Sequence, residues 1–180
     1  MKIGKCVRFL SGFVRALVVL VAVFSAVGNV GAQDLPKESV LTLALADKAV
    51  HAAMESCKKD GYRVSASVVD RAGVLRNMVR ADGAGPHTVE SSRKKAYTAA
   101  SLRRPTTELA ELIAKVPALQ GLRDMNENIL MLGGGLPVEI AGEVVGGIGV
   151  GGAPGAHLDE ACARAGLDAI EADSKAPAPK

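Results

Sequence analysis

The sequence predicts an α+β domain in which a mainly antiparallel, five-stranded sheet is flanked by helices. The segments follow the order helix, two strands, two helices, three strands and helix. This order leaves no room for successive βαβ units, in which each parallel strand is followed by a crossover helix. The composition agrees, because 48% hydrophobic residues and 20 glycines among 180 residues are typical of a compact domain and not of a disordered chain.

The chain is expected to begin with a cleaved secretory signal. Basic residues lie at its start, an apolar run covers 16–24, and small residues precede Gln33. An uncleaved membrane anchor is the alternative, but Ser25, Gly28 and Asn29 interrupt the uncharged segment. We therefore expect a periplasmic or secreted protein without a membrane association after cleavage. The predicted organisation is a signal peptide at 1–32, a leader at 33–39, one domain at 40–171 and a disordered tail at 172–180.

The charge of the remaining body gives no reason to expect a nucleic-acid partner. The chain has 22 Lys and Arg, of which four precede position 33, so cleavage leaves 18 basic against 19 acidic side chains. This near-neutral balance offers no general attraction to phosphates. All three Phe lie in the signal and Trp is absent from the sequence, so aromatic side chains on which bases could stack are scarce.

The first half of the domain is predicted to be a helix followed by a hairpin. Apolar residues recur every three or four positions from Val40 to Lys59, and an Asp-Gly pair ends this helix. Two alternating, β-branched runs follow at 62–69 and 74–80. The turn at 70–73 joins them as a β-hairpin.

The second half is predicted to contain three helices and three strands. A loop at 81–87 leads into a helix that Thr88 caps and that ends at Arg103, because Pro105 prevents its continuation. A short helix is expected at 105–115. Strands are predicted at 129–132, 136–141 and 143–150, and the closing helix at 157–171.

Two cysteines remain after the signal, which also carries Cys6, is removed. Cys57 and Cys162 could form one disulfide in an oxidising compartment. Each lies in an Ala-rich helical segment, where a buried free thiol packs as a small apolar side chain. Packing as free thiols is the commoner outcome, and the sequence leaves open whether Cys57 and Cys162 are bridged.

The glycine-rich segment permits several interpretations. Gly147, Gly149 and Gly152 match G-x-G-x-x-G, but a dinucleotide site also needs a second parallel strand, for which the chain has no segment. Glycine also permits close approach of a helix or a neighbouring subunit, and a bare strand at 144–152 favours self-association. Amides at 151–155 precede a helix and could hold a carboxylate or phosphate.

Three histidines remain as candidates for function. His51 lies four residues after Asp47 and four before Glu55, which places the three on one helix face. A solvated helix face is the commoner explanation of such spacing. His87 follows a Gly-Pro pair at the mouth of a helix, where loop residues often carry function. His157 is expected to belong to the first turn of the last helix and is not favoured.

Basic residues on the second helix are candidates for binding an anion. Arg93 and Lys94 could meet the carboxylates of a ligand, although an ordinary basic face is commoner. The sequence contains no nucleophile elbow, no H-E-x-x-H and no cysteine pair at zinc spacing, so it indicates no catalytic class.

Several segments together resemble a known family. They read SASVVDRAGVL, ADGAGPHT, KKAYTAA and GGGLPVEIAGEVVGGIGVGGAPGAHLDEACARAG. In this order they resemble the GlcG/HbpS family of haem-binding and haem-degrading-type proteins, over about residues 40–171. The resemblance implies a profilin-like sandwich and a symmetric homo-oligomer.

The resemblance also implies haem as the cofactor. A His on the first helix or a Thr on the central helix can ligate the iron in such domains, which points to His51 or Thr98, and the loop position adds His87. Arg93 or Lys94 could hold the haem propionates. We expect an extracytoplasmic haem-binding protein for capture, storage or redox sensing, with haem degradation less favoured. The alternative is a small organic-acid-binding protein or enzyme that uses the glycine-rich turn as an anion site.

Overall fold

The structure is a computed structural model that describes residues 37–174. The predicted signal, most of the leader and the end of the predicted tail lie outside the described residues. Within the described part, no helix has both the length and the apolar character needed to cross a membrane.

The described chain forms an antiparallel sheet flanked by helices, which confirms the predicted α+β class. In chain order the elements are α1 (Leu43–Lys59), β1 (Ser65–Asp70), β2 (Leu75–Arg80), α2 (His87–Leu102), α3 (Thr106–Lys115), a 3-10 helix (Pro117–Asp124), β3 (Gly135–Ile140), β4 (Glu143–Gly151) and α4 (Ala156–Ser174). The sheet order is β2-β1-β4-β3, so β1 and β4 are central and β2 and β3 form the edges.

Within residues 37–174 the sheet has four strands, and the predicted fifth strand at 129–132 is wrong. Backbone amides of this segment are used in turns, since Ile129 N donates to Asn126 O and Leu132 N donates to Leu130 O. Leu130 N donates instead to Thr98 Oγ1 on α2, at 2.8 Å. The segment therefore contacts the central helix and does not extend the sheet. The profilin-like sandwich stays a prediction.

The two faces of the sheet are covered by different helices. Ala66 and Val68 of β1 are buried in a core shared with α1 and α4. Ser67, between them, makes a 2.8 Å hydrogen bond with Ser92 of α2. Because successive side chains of a strand point to opposite faces, α1 and α4 lie on one face and α2 lies on the other.

The glycines of β4 allow α2 to lie directly on the strand. A Cβ atom on Gly149 would overlap Ser92 O, and one on Gly147 would overlap Ala96 O. This confirms the close approach of a helix. The expectation of a bare edge strand is wrong, however, because β1 and β3 pair with β4 on both sides and α2 buries its glycines.

Substituting Gly149 is expected to destabilise the fold. The added methyl group of Gly149→Ala must displace the backbone of α2, and overpacking of this kind costs about 1–3 kcal/mol. Urea unfolding followed by circular dichroism measures the loss. Gly121→Ala is the control, since a Cβ there meets no atom within 4 Å. Equal midpoints for the two variants would contradict the close approach.

Two local predictions about helices need correction. Thr88 does not cap α2, because the helix begins at His87 and the buried Thr88 hydroxyl donates to Gly85 O at 2.6 Å.

The cysteines are not free thiols. Cys57 and Cys162 form a disulfide that joins α1 to α4, and both residues are buried.

Candidate functional site

The clearest candidate site is a cleft of about 510 Å³ between α1, β2 and the turn that follows α1. Apolar and aromatic parts of Met54, Tyr62 and Val79 line it. Polar and charged side chains also line it, and these are His51, Glu55, Lys58, Arg63 and Asp82. An apolar surface with a few convergent polar groups is the usual form of a small-molecule site.

Helix α1 sets the orientation of its part of this cleft. The helix starts at Thr42, whose side-chain oxygen accepts a hydrogen bond from Leu45 N. Its buried residues, among them Val50 and Ala53, fix one stripe against the core. His51 lies beside that stripe and is exposed, so the helix presents the imidazole at the cleft.

His51 has one close carboxylate neighbour, Asp47. The distance from His51 Nε2 to Asp47 Oδ1 is 3.3 Å, and their side chains are 59% and 56% exposed. Asp47 Oδ1 also accepts a hydrogen bond from Asn77 Nδ2 of β2 at 2.9 Å. Glu55, the other carboxylate of the predicted face, pairs with Lys58 at 3.7 Å. The spacing therefore identified the contact on one side of His51 only.

The other two histidines lie elsewhere. His87 is exposed at the start of α2, with its ring beside Gly85, and it does not line the cleft. His157 is exposed in the first turn of α4, as expected, and lines a different, open pocket with Thr107. The structure does not bring His51 and His87 into one cleft.

Thr98 has its hydroxyl group engaged inside the protein. The residue is fully buried on α2, its Oγ1 donates to Lys94 O at 2.7 Å, and the same oxygen accepts Leu130 N at 2.8 Å. A role for Thr98 as an iron ligand stays a prediction, and it would require this packing to change.

The basic residues predicted to bind an anion are on the side of the sheet away from the cleft. Arg93 Nη2 donates to Glu90 Oε2 at 2.8 Å and to Asn128 Oδ1 at 2.9 Å. The hydrogen bond from Arg93 lowers the pKa of the Glu90 carboxyl. Lys94, next to Arg93, also belongs to α2 and does not line the cleft.

Two other cations, Lys58 and Arg63, line the cleft, and our sequence reasoning missed both. The position of Lys58 beside His51 can be predicted from the sequence. It lies seven residues, or two helical turns, after His51, so the two side chains share a face of α1. Arg63 follows the turn after α1, and no periodicity of the sequence indicates its position.

The glycine-rich turn is occupied by the chain itself. Ala153 N donates to Asp159 Oδ1 at 2.9 Å, and Asp159 Oδ2 pairs with Lys95 Nζ at 2.7 Å. Lys95 Nζ also donates to Val150 O at 2.9 Å. One of the amides at 151–155 that are predicted to bind an anion, that of Ala153, is thus satisfied by a buried carboxylate.

No group of three or more His, Cys, Asp or Glu side chains within residues 37–174 is arranged to hold a metal ion.

Comparison with known proteins identifies a matching family and several similar proteins. The family model described as "Haem degrading protein HbpS-like" matches residues 41–168. A crystal structure of a double mutant of Streptomyces reticuli HbpS is 46% identical, with a TM-score of 0.70 over 79% of this chain and 97% of that one.

Two further proteins are more distant. Protein GlcG of Escherichia coli K12 is 31% identical over 118 residues, which are 62% of this chain and 81% of that protein. The crystal structure of a PduOC:heme complex is 27% identical, with a TM-score of 0.68 over 73% of this chain and 96% of that one.

Proposed function

The chain belongs to the HbpS-like family, and we propose that it binds haem in the cleft between α1 and β2, with His51 as an iron ligand. The observation that carries the proposal is the exposed imidazole of His51 at a cleft lined by apolar side chains, by two cations and by the carboxylates of Glu55 and Asp82. The relative crystallised as a haem complex supports the choice of ligand.

The residues of the cleft suit the parts of a haem group. Met54, Tyr62 and Val79 offer apolar and aromatic surface for the macrocycle. Lys58 and Arg63 supply positive charge for the two propionates, the role predicted for Arg93 and Lys94. Bound haem supplies an iron centre whose reactivity depends on its axial ligands and on the surrounding polarity.

We further propose that the protein acts outside the cytoplasm, in haem capture, storage or redox sensing. The disulfide between Cys57 and Cys162 supports this, because such bonds persist in oxidising compartments. The signal-like order of the first 32 residues points the same way. The family resemblance supports a homo-oligomer. The glycine-rich strand β4 is not the bare edge strand that we expected to form the interface, because β1 and β3 pair with it on both sides.

Replacing His51 with alanine is expected to remove the main haem contact. Titration of the purified protein with hemin should give a Soret shift in the wild type, and His51→Ala should weaken binding at least tenfold, since an iron–nitrogen bond is lost. His157→Ala is the matched control, because that residue is also exposed on a helix but lies outside the cleft.

The same titration separates the other ligand candidates. Wild-type affinity for hemin in His51→Ala would contradict the proposal, and His87 and Thr98 would then be the remaining candidates for the iron ligand. If His87→Ala also binds as the wild type does, Thr98→Ala becomes the remaining test.

A further inference from the structure

We propose that a cavity at the free edge of β3 is a second binding site, and that it takes a small zwitterion of the amino-acid class with an apolar side chain. The cavity has a volume of about 240 Å³. Among the described residues, none lines both this cavity and the cleft between α1 and β2, and β2 and β3 are opposite edges of the sheet. Occupation of the cavity therefore does not depend on haem.

Elements from both faces of the sheet border the cavity. Arg103 and Pro105, where α2 ends and α3 begins, line one part of it, and Arg164 of α4 lines another. Pro137 of the edge strand β3 also lines it and has no backbone N–H, which makes this edge a poor template for an added strand. The site therefore suits a small molecule better than a peptide strand or the edge of a second subunit.

Arg103 occupies a backbone position that favours glycine. It ends α2 in the left-handed region, with φ 54° and ψ 38°. Glycine is the usual residue at such a helix end, because a Cβ atom is unfavourable there. Among the described non-glycine residues, only Ala141 in the turn between β3 and β4 also has a positive φ. An arginine at a position where glycine would serve the backbone better points to a role for its side chain.

The two arginine side chains at the cavity are available to a ligand. Within residues 37–174, neither the Arg103 nor the Arg164 guanidinium group makes a hydrogen bond or an ion pair. Glu160 lies four residues before Arg164 on α4, which is the spacing of a helical ion pair. Its carboxylate instead accepts a hydrogen bond from Thr107 Oγ1. Arg103 and Arg164 can therefore donate to a carboxylate from outside the chain.

The other lining groups determine the class of ligand. Glu139 and Glu171 add two carboxylates to the two guanidinium groups, so the formal charge of the lining is balanced. Such a lining disfavours a phosphate or a dicarboxylate and favours a molecule that carries an ammonium group as well as a carboxylate. Leu167 and Ile170, which belong to the buried core, offer apolar surface for a side chain. The cavity has the volume of about eight water molecules, which suits an amino acid of the size of leucine.

The first experiment compares three small molecules of similar shape. Addition of L-leucine to the purified protein should shift ¹H–¹⁵N signals of residues around the cavity. The analogue 4-methylpentanoate lacks the ammonium group and 3-methylbutylamine lacks the carboxylate. Each should bind about tenfold more weakly than L-leucine, or weaker still, because a charge-assisted hydrogen bond is lost. Equal binding of 4-methylpentanoate would overturn the zwitterion, and unchanged spectra with all three molecules at millimolar concentration would overturn the site.

The variant Arg103→Gly separates a loss of binding from a loss of folding. Glycine suits the left-handed backbone, so the urea midpoint should stay at or above that of the wild type. The affinity for L-leucine should fall about tenfold or more, since the guanidinium group is removed. Arg104→Ala is the matched control, because Arg104 pairs with Glu108 at 3.4 Å and does not line the cavity. Wild-type affinity in Arg103→Gly, or an equal loss in Arg104→Ala, would overturn the assignment of Arg103.

The variant Glu139→Gln tests the contact with the ammonium group. It should weaken the binding of L-leucine and should not weaken that of 4-methylpentanoate, which has no ammonium group to lose. An unchanged affinity for L-leucine would overturn the role of Glu139. Hemin titration of Arg103→Gly and Glu139→Gln should match the wild type, since neither residue lines the cleft. A loss of hemin binding in both variants would contradict the independence of the two sites.

Discussion

Replacing Cys57 with alanine is expected to lower the free energy of unfolding by about 2–5 kcal/mol, the usual cost of removing a native disulfide. The bond joins residues 105 positions apart, so it restricts most of the unfolded domain. Loop-closure arguments place the stabilisation from a loop of this length near the upper end of that range. The bond also ties α1, which carries His51, to α4.

Urea unfolding with and without a reducing agent measures this contribution. Reductant should lower the wild-type midpoint towards that of Cys57→Ala and should leave the variant unchanged. Cys162→Ala and the double alanine variant should match Cys57→Ala, since each lacks the same bond. If reductant and Cys57→Ala both leave the midpoint at its wild-type value, the disulfide does not stabilise the protein.

Much of the architecture could be predicted because it depends on local patterns. The hairpin was predicted from alternation, and its strands β1 and β2 begin and end within a few residues of the predicted runs. Helix α1 ends at Lys59 as its Asp-Gly stop signal indicates. These features need only neighbouring residues, so a single sequence contains them.

The predictions that were wrong concern contacts between segments that are distant in the sequence. The run at 129–132 is apolar enough for a strand, but its amides bond to turns and to Thr98 of α2. The sequence around Cys57 and Cys162 does not distinguish a disulfide from two free thiols, because the pairing depends on how α1 packs against α4. Such outcomes depend on tertiary packing, which periodicity does not encode.

The candidate site shows the same division. The spacing of Asp47 and His51 on one helix predicted a contact that the structure contains. Asn77, which holds Asp47, comes from β2, and no spacing along the chain connects them. Arg93 and Lys94 were assigned to the ligand because they are basic, yet the helix that carries them packs on the opposite face of the sheet from α1.

Breaking the buried ion pair between Lys95 and Asp159 is expected to cost about 3–5 kcal/mol of folding free energy, the usual range for such pairs. The two side chains are only 2% and 6% exposed, and they join α2 to the first turn of α4. Asp159→Asn leaves the Lys95 ammonium without a counter-charge in the interior. It also weakens the acceptor of Ala153 N, which orders the glycine-rich turn.

Equilibrium unfolding in urea tests this with two matched comparisons. Glu111→Gln removes one partner of an exposed pair with Lys115, whose Nζ–Oε2 distance is 3.1 Å, and should change stability by less than about 1 kcal/mol. The combined Lys95→Met and Asp159→Leu variant removes both buried charges, and apolar replacements of buried pairs are often neutral or stabilising. It should therefore recover most of the loss seen in Asp159→Asn.

The double variant distinguishes an uncompensated charge from lost packing. If Asp159→Asn is destabilised and the double variant recovers, the cost comes from leaving one charge buried alone, and the pair fixes the position of α4 more than it adds net stability. If the double variant is as unstable as Asp159→Asn, the hydrogen bonds from Lys95 to Val150 O and from Ala153 N to Asp159 carry the stabilisation. Wild-type stability in Asp159→Asn would contradict both explanations, because an unpaired ammonium in the interior must either lose its proton or draw water into the core.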